Sequence, residues 1–477
     1  MPSRSYRLTT DSPEIEAAFA ELRRQLKVPV EFPAEVLDEA EQAAAAPRMP
    51  DVDETSTAFV TLDPAESMDL DQAFFIERAG DGYRVQYAIA DVAAFVEPGG
   101  PMDVEAHERG RSLYAPDTTV RLYPTVLSED AASLLPDQTC PALVWTMDVD
   151  ETGEGTAVHV HRAQVRSRAK LDYVTSQQAL DGGTADEQLR LLREVGILRR
   201  QRELRRGGVS LALPEQVVTQ DARRYGLRFR APLPIEEWNA QISLMTGMAA
   251  ADLMLDARIG LLRTVPPPEP DRLERLRLTA KALRVDWPDG VSYQDFIRSL
   301  SPFVARQAAL LVESTGLLRG SGYVAFDGDL PEDPVHSPLA STYSHTTAPL
   351  RRLVDRYVGE ICVALSAKTE VPSWVRSELA TLPETMAAST GRAGQYEAGT
   401  VSIIEAALLA GRIGETFEAI VVEVDETRGR ALVAIREPAV TARCRGDDLP
   451  LGGRVVVRLV EADVMQRVVR FELPGAA

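Results

Sequence analysis

The stretch Asp63-Pro64-Ala65-Glu66-Ser67-Met68-Asp69-Leu70-Asp71-Gln72 constrains the fold more than any other part of the chain. It places three aspartates and a glutamate within ten residues, directly after the apolar, strand-like Phe59-Val60-Thr61-Leu62. Carboxylates so crowded repel one another and cannot enter a core unpaired. The run must therefore leave the end of a strand at a surface or a cleft, where solvent or a cation reaches it. Two readings are open here: a solvated acidic loop, or a set of oxygen ligands for a hard divalent ion. Mg²⁺ takes a few carboxylates plus a substrate phosphate.

With 477 residues the chain has material for two or three domains and a large core. No run of about 18 apolar residues occurs, so no membrane span is expected. Met1-Pro2-Ser3-Arg4-Ser5-Tyr6 lacks the apolar region of a signal peptide. Cys140, Cys362 and Cys444 stand far apart with no CxxC pair, which speaks for a reducing cytoplasm and against zinc or disulfides. A net charge of −20 argues against electrostatic coating of nucleic acid, but not against a local basic channel. The positive charge is clustered at His161-Arg162, Arg166 to Lys170, Arg199-Arg200, Arg205-Arg206 and Arg351-Arg352 with Arg356, and it is nearly all arginine. Arginine forks suit phosphate, although a high-GC coding bias would give the same skew.

The pattern along the chain is α+β and multidomain. Ser12-Pro13-Glu14 with Glu16 has the cap, N1 proline and acidic first turn of a helix start. A second helix is expected after Pro33. Residues 1–50 thus read as a helical region, either a helix-turn-helix or winged-helix unit or a plain extension packed on the next domain. Between Val52 and Arg168 the chain reads mainly as strand. Tyr83, Val85, Tyr87 and Ile89 alternate after a Gly80-Asp81-Gly82 turn, and a hairpin is expected across Thr152 to Gly155. Helices are expected around Leu189–Leu198, within Ile235–Leu262, and over 271–285, 303–318 and 349–366, followed by a helical connection over 369–413. From 414 to 477 short β-branched runs suggest a small closed barrel of the OB type.

A second element suited to the acidic run is His345 to Tyr357, with Pro349-Leu350-Arg351-Arg352 and Asp355. Pro349 suits a first helical position, which would put Arg351 in the first turn, beside free N–H groups that already favour an anion. The bland alternative is an Arg351–Asp355 surface pair at i,i+4. A third element is Arg109-Gly110-Arg111-Ser112-Leu113-Tyr114-Ala115-Pro116, whose Tyr114 could stack on a base or simply be packed.

Taken in order, these elements resemble the catalytic (RNB) domain of the ribonuclease II/ribonuclease R family. The matching stretches are Asp63-(x5)-Asp69-Leu70-Asp71-Gln72-Ala73, Tyr87 to Val92, and Arg109-Gly110-(x3)-Tyr114-(x)-Pro116. Leu127-Ser128-(x4)-Ser133-Leu134 and Tyr343-(x)-His345-(x)-Thr347-(x)-Pro349 to Asp355 complete the set. The resemblance covers 51–368 and implies an RNB-type β-sheet with surrounding helices, closed by an S1-type OB barrel. It also implies a hydrolytic 3′-to-5′ exoribonuclease that acts on single-stranded RNA with Mg²⁺ or Mn²⁺ and releases nucleoside 5′-monophosphates. Such a protein is expected to be cytoplasmic, monomeric and free of membrane.

Residue by residue, the resemblance makes Asp63, Asp69, Asp71 and Gln72 the metal set. Asp69, Asp71 and Arg351 become the catalytic groups. Tyr114, Leu211, His345, Arg351 and Arg352 become RNA contacts, and the basic clusters line a channel. The chain departs from the family at three places. Gln72 stands where a further aspartate is usual, so Gln72→Asp is expected to lower the metal requirement. Leu211 stands for a stacking phenylalanine, and Ser243-Leu244 for paired glutamates. The region before the domain is too short for two cold-shock barrels. Two alternatives remain: a catalytically weak RNB-like RNA-binding protein, and an Asp-x-Asp glycosyltransferase using Mn²⁺, which would leave Tyr114 and Arg351 unexplained.

Overall fold

The protein is seen here in a computed structural model that describes residues 8–9, 12–210, 215–221, 224–302, 304–425, 430–446 and 449–474. Its centre is a six-stranded sheet of β1 (Val60–Asp63), β2 (Gln72–Ala79), β3 (Gly82–Ala90), β4 (Thr139–Val149), β5 (Gly155–Arg166) and β6 (Ala169–Asp172). The spatial order is β5-β4-β3-β2-β1-β6. Neighbours are antiparallel except β1 and β6, which run parallel with Asp63 opposite Asp172. The two-residue Gly80-Asp81 turn joins β2 to β3, and the expected hairpin joins β4 to β5.

Alternation alone would leave one face of β3 wet. Tyr83, Val85, Tyr87 and Ile89 are indeed buried, but so are Ala88 and Ala90 on the other face. Both faces are covered because helices pack on the sheet, and Trp145, Tyr87 and Phe74 are among the largest side chains they enclose.

The helices of the chain's first half are α1 (Pro13–Gln25), α2 (Ala34–Ala45), α3 (Pro101–Arg109), α4 (Tyr173–Asp181), α5 (Glu187–Arg205) and α6 (Pro234–Ala257). Later come α7 (Pro270–Ala282), α8 (Tyr293–Ser299), α9 (Ala305–Ser314), α10 (Leu353–Ala367), α11 (Ser373–Glu378) and α12 (Leu382–Leu409). The two N-terminal helices join separate cores rather than one helix-turn-helix unit. Phe19 and Leu22 of α1 pack with α12 and the C-terminal barrel, whereas Val36 and Ala40 of α2 join the core of the central sheet.

The helix expected within Ile235–Leu262 forms but ends short of that range, and the one expected from 349 starts late. The apolar run from Ile235 to Leu262 splits: α6 stops where Arg258 turns left-handed (φ 58°), and Ile259–Thr264 is a strand. Buried β-branched and leucine residues serve either state, so periodicity could not place that break. Nor does the helix after Pro349 begin there; α10 starts at Leu353, with Arg352 as its extended N-cap. The Asp355 carboxylate reaches back to the Ala348 N–H at 2.7 Å, closing residues 348–352 into a turn ahead of the helix.

At the C-terminal end Thr416–Asp425, Arg430–Ile435, Val440–Arg445, Arg454–Asp463 and Val468–Glu472 form a closed five-stranded barrel. Val421, Val433, Val457 and Leu459 fill it without solvent exposure.

Candidate active site

The acidic run starts at the last residue of β1 and crosses to the first residue of β2. Its main chain is pinned at several places. Leu70 is fully buried and acts as a plug. Its N–H donates to Ser133 Oγ at 2.9 Å, and that hydroxyl donates to the Met68 carbonyl at 2.6 Å. The Leu70 carbonyl accepts from Leu134 N–H at 3.0 Å, and the Asp71 carbonyl accepts from Ala90 N–H at 2.9 Å. Ser133 lies 63 residues from Leu70, and this anchoring fixes the directions in which Asp69 and Asp71 project.

Asp71 is nearly enclosed, at 4% exposure. Its Oδ1 accepts from the Leu350 N–H at 2.7 Å, and its Oδ2 lies 3.4 Å from Arg351 Nε. Burial pushes the Asp71 carboxyl up to about 8, against the pull of Arg351 and the Leu350 N–H. Asp63 is half-buried, and burial raises it to about 6, opposed by Arg351 and reinforced by Asp69. Asp69 Oδ2 accepts from the Tyr114 hydroxyl at 3.2 Å, while Tyr114 itself is 47% exposed. Three separate chain segments, 63–71, 114 and 350–351, therefore meet at one cleft.

Close backbone approach holds the arginine segment there. A Cβ on Gly247 of α6 would fall 2.2 Å from a ring carbon of Tyr343, so only glycine lets 343–344 lie against α6. The Ser344 N–H then donates to the Gly247 carbonyl at 3.0 Å. Downstream, the Gly110 carbonyl accepts from Leu353 N–H and the Arg351 carbonyl from Ser112 N–H. Arg351 ends half-exposed, and outside the helix that sequence spacing assigned to it.

The remaining expected residues take other partners. Gln72 is locked between two of them: its Oε1 accepts from the Tyr87 hydroxyl, and its Nε2 donates to the Thr347 carbonyl, each at 2.5 Å. Its amide thus joins β2, β3 and the 347 segment instead of projecting into the carboxylate cluster. Arg352 is committed to Asp355 through Nε and Nη2, at 2.5 and 2.8 Å. The expected Arg351–Asp355 pair is therefore replaced by Arg352–Asp355 and Arg351–Asp71. His345 bonds through Nδ1 to the Tyr323 hydroxyl at 2.6 Å, and burial, with Arg352 nearby, pushes its pKa well down, so the ring is neutral. Leu211 lies outside the described residues. Ser243 meets Thr347, hydroxyl to hydroxyl, at 2.7 Å.

Most of the clustered basic residues have internal partners. Arg162 pairs with Asp91 and Glu360, His161 with Glu54, Arg200 with Glu237, and the buried Arg356 with Asp103. Arg199 is buried and donates to the Gly153 carbonyl. These groups brace the sheet and helices, and a row of arginines in sequence did not distinguish that role from a nucleic-acid channel. Sequence reasoning also assigned no role to Ser133, Tyr87 or Asn239, whose amide donates to the Leu62 carbonyl behind Asp63. Ser133 and Asn239 act on residues 63 and 177 positions away, and Tyr87 acts across the β2–β3 hairpin, so the pairings show only in the folded chain.

Among the described residues no group of three His, Cys, Asp or Glu side chains converges as a ready metal site. The donor chemistry nevertheless suits a hard divalent cation. Asp63, Asp69 and Asp71 supply oxygens only, and burial opposes ionisation of two of them in a field that a divalent cation would offset.

Residues 52–367 match the RNB domain, and residues 415–473 match the RNase II-type exonuclease C-terminal S1 domain. The chain belongs to the RNB family. It is 29% identical to Ribonuclease R of Vibrio cholerae over 375 residues, spanning 73% of this chain and 44% of that protein. It is 27% identical to Ribonuclease R of Aquifex aeolicus, over 94% of this chain and 69% of the relative. The chain thus spans less than half the length of the Vibrio relative. Mycoplasma genitalium RNase R in complex with ribose methylated single-stranded RNA shares the fold with a TM-score of 0.85 at 19% identity, covering 97% of this chain and 78% of that one. No described helix is long and apolar enough to cross a membrane.

Proposed function

We propose that this chain is a hydrolytic 3′-to-5′ exoribonuclease that shortens single-stranded RNA and releases nucleoside 5′-monophosphates. The observation that carries the reading is the meeting of Asp71 with Arg351 and the Leu350 N–H, beside an exposed Tyr114 bonded to Asp69. Asp63, Asp69 and Asp71 would hold Mg²⁺ or Mn²⁺, which when bound lowers the pKa of a water and offsets phosphate charge. Tyr114 offers its ring to the 3′-terminal base, an interaction worth about 1–3 kcal/mol. The nearest approach of Arg351 to Asp71 is 3.4 Å, at Nε, and among the described residues its side chain makes no hydrogen bond, so its guanidinium is available to take a phosphate bidentately and to offset charge developing on it. The Leu350 N–H and Arg351 together orient Asp71. The three cysteines are buried and unpaired, in keeping with work in a reducing cytoplasm.

One arrangement favours a second reading, an RNB-like RNA-binding protein of weak activity. Asp71 faces Arg351, Gln72 is tied to Tyr87 and Thr347, and no three-carboxylate group is assembled among the described residues. Incubation with 5′-labelled single-stranded RNA and Mg²⁺ or Mn²⁺ separates the two. A stepwise ladder that vanishes in Asp71→Asn is the expected result. Retention of RNA with no ladder in either metal establishes the binding protein instead.

A further inference from the structure

Arg111 is the residue of the cleft that neither the acidic run nor the Arg351 segment explains. It comes after Gly110, which closes α3 with φ 68°, a left-handed conformation that glycine adopts freely. Beyond that turn, residues 110–112 run antiparallel to 351–353. Arg111 stands opposite Arg352, the Gly110 carbonyl accepts from Leu353 N–H at 3.0 Å, and Ser112 N–H donates to the Arg351 carbonyl at 2.9 Å. Three guanidinium groups are thereby brought onto one short strip.

Their acceptors are unequally shared. Arg352 takes both oxygens of Asp355, and Arg351 has Asp71 at 3.4 Å. Among the described residues Arg111 makes no side-chain hydrogen bond or ion pair, and its Nε is enclosed without an acceptor. Burial lowers its pKa, and the charges of Arg352 and Arg351 add to that effect. A guanidinium still keeps its proton at neutral pH. Asp355 and Asp71 thus lie against Arg352 and Arg351, whereas among the described residues no carboxylate lies within ion-pair distance of Arg111, and its partial desolvation has no close acceptor to offset it. A side chain of this length could have turned to solvent. Instead it is held half-buried next to Tyr114, whose ring is exposed, and next to Tyr323.

We propose that Arg111 forms a second phosphate subsite, beside Arg351, for a phosphodiester of the RNA strand. The proposal rests on the RNA reading above and adds a residue to it. A strand whose terminal base lies on Tyr114 must carry its phosphates past the 110–112 and 351–353 strip. The planar fork of Arg111 matches the two free oxygens of a phosphodiester, as a point charge would not. Arg351 then holds one phosphate and Arg111 its neighbour, which sets the path of the strand as it enters the cleft.

The test is binding of a fluorescent single-stranded RNA in EDTA, measured by anisotropy from low to high salt, for wild type, Arg111→Met and Arg111→Lys. Each phosphate contact contributes about 0.7 to the slope of log affinity against log salt for a single strand. Arg111→Met is expected to weaken binding about tenfold and to flatten the slope by about 0.7. Arg111→Lys should keep the wild-type slope and lose only part of the affinity, a pattern that a purely structural role would not give.

On the substrate side, wild type is offered RNAs carrying one uncharged methylphosphonate at each of the last three linkages. Two of these positions should weaken binding, one of them with no effect in Arg111→Met. If that variant lacks a cooperative melt, the comparison is made with Arg111→Gln. An unchanged salt slope in a folded Arg111→Met, or fewer than two sensitive linkages in wild type, overturns the subsite. Failure of wild type to bind RNA at all overturns the nuclease reading instead, so the two failures are told apart.

Discussion

The cleft and the C-terminal barrel are both candidate nucleic-acid surfaces, yet they use their aromatic residues in opposite ways. In the cleft Tyr114 is 47% exposed and touches the protein's chemistry through one hydroxyl bond to Asp69. In the barrel Phe417 and Phe471 turn inward and meet edge to face at 5.7 Å, buried at 7% and 1% exposure. The barrel strands instead present Arg443, Arg445, Arg454 and Arg458 outward. Stacking on a base needs a free ring face. On the proposed function a terminal base would therefore stack in the cleft, with the barrel offering charge. The same residue class stabilises one region and leaves the other poised for a ligand.

The largest expected effect lies in the cleft. Asp71→Asn should lower RNA cleavage by about 10²–10³-fold, as removal of one preorganised group at a reacting centre does elsewhere. Its thermal midpoint should hold or rise, because the amide removes a carboxyl that burial already keeps from ionising easily. A gel assay beside a melting curve checks both, and a fall in stability with intact cleavage would assign Asp71 to the fold alone.

Next, the aromatic contrast makes paired predictions. Phe417→Ala should cost about 3–5 kcal/mol of stability, as truncation of a buried phenylalanine does, with little effect on RNA affinity per folded molecule. Tyr114→Ala should leave the melt unchanged and cost about 1–3 kcal/mol of RNA binding. Denaturant titration and anisotropy on the two variants would undo the contrast if the effects changed places.

Gln72→Asp comes third. The shorter carboxylate cannot donate to the Thr347 carbonyl, and it brings charge to the Tyr87 hydroxyl, so a loss of about 1–3 kcal/mol is expected. Metal titration followed by calorimetry should show no tighter binding, in contrast to the sequence expectation. The smallest effect belongs to the barrel: Arg443→Ala with Arg445→Ala should flatten the RNA salt slope by about 1.4 at most, at about 0.7 per phosphate contact.

Much of the site was legible along the chain because its chemistry is locally dense. Asp63, Asp69 and Asp71 lie on one short run, and Tyr114 and Arg351 each sit in a recognisable segment. Local density also misled. Arg352 read as an RNA contact and Arg356 as part of a basic channel, yet Asp355 and Asp103 take them. Gln72 entered the metal set through the resemblance, at the place of a usual aspartate, but its amide goes to Tyr87 and Thr347 instead.

From its residues alone, then, this chain declares its family, its α+β architecture and the terminal barrel. Those come from patterns a few residues long: alternation, caps, turns and motif spacing. The pairing of each charge was settled only in the folded molecule. Asp71 with Leu350 and Arg351, Arg352 with Asp355, and Arg111 with no acceptor among the described residues all depend on how the whole chain packs, in the first case across 279 residues. Burial sets the cost of an unpaired charge, and no stretch of sequence contains the burial that its distant neighbours impose.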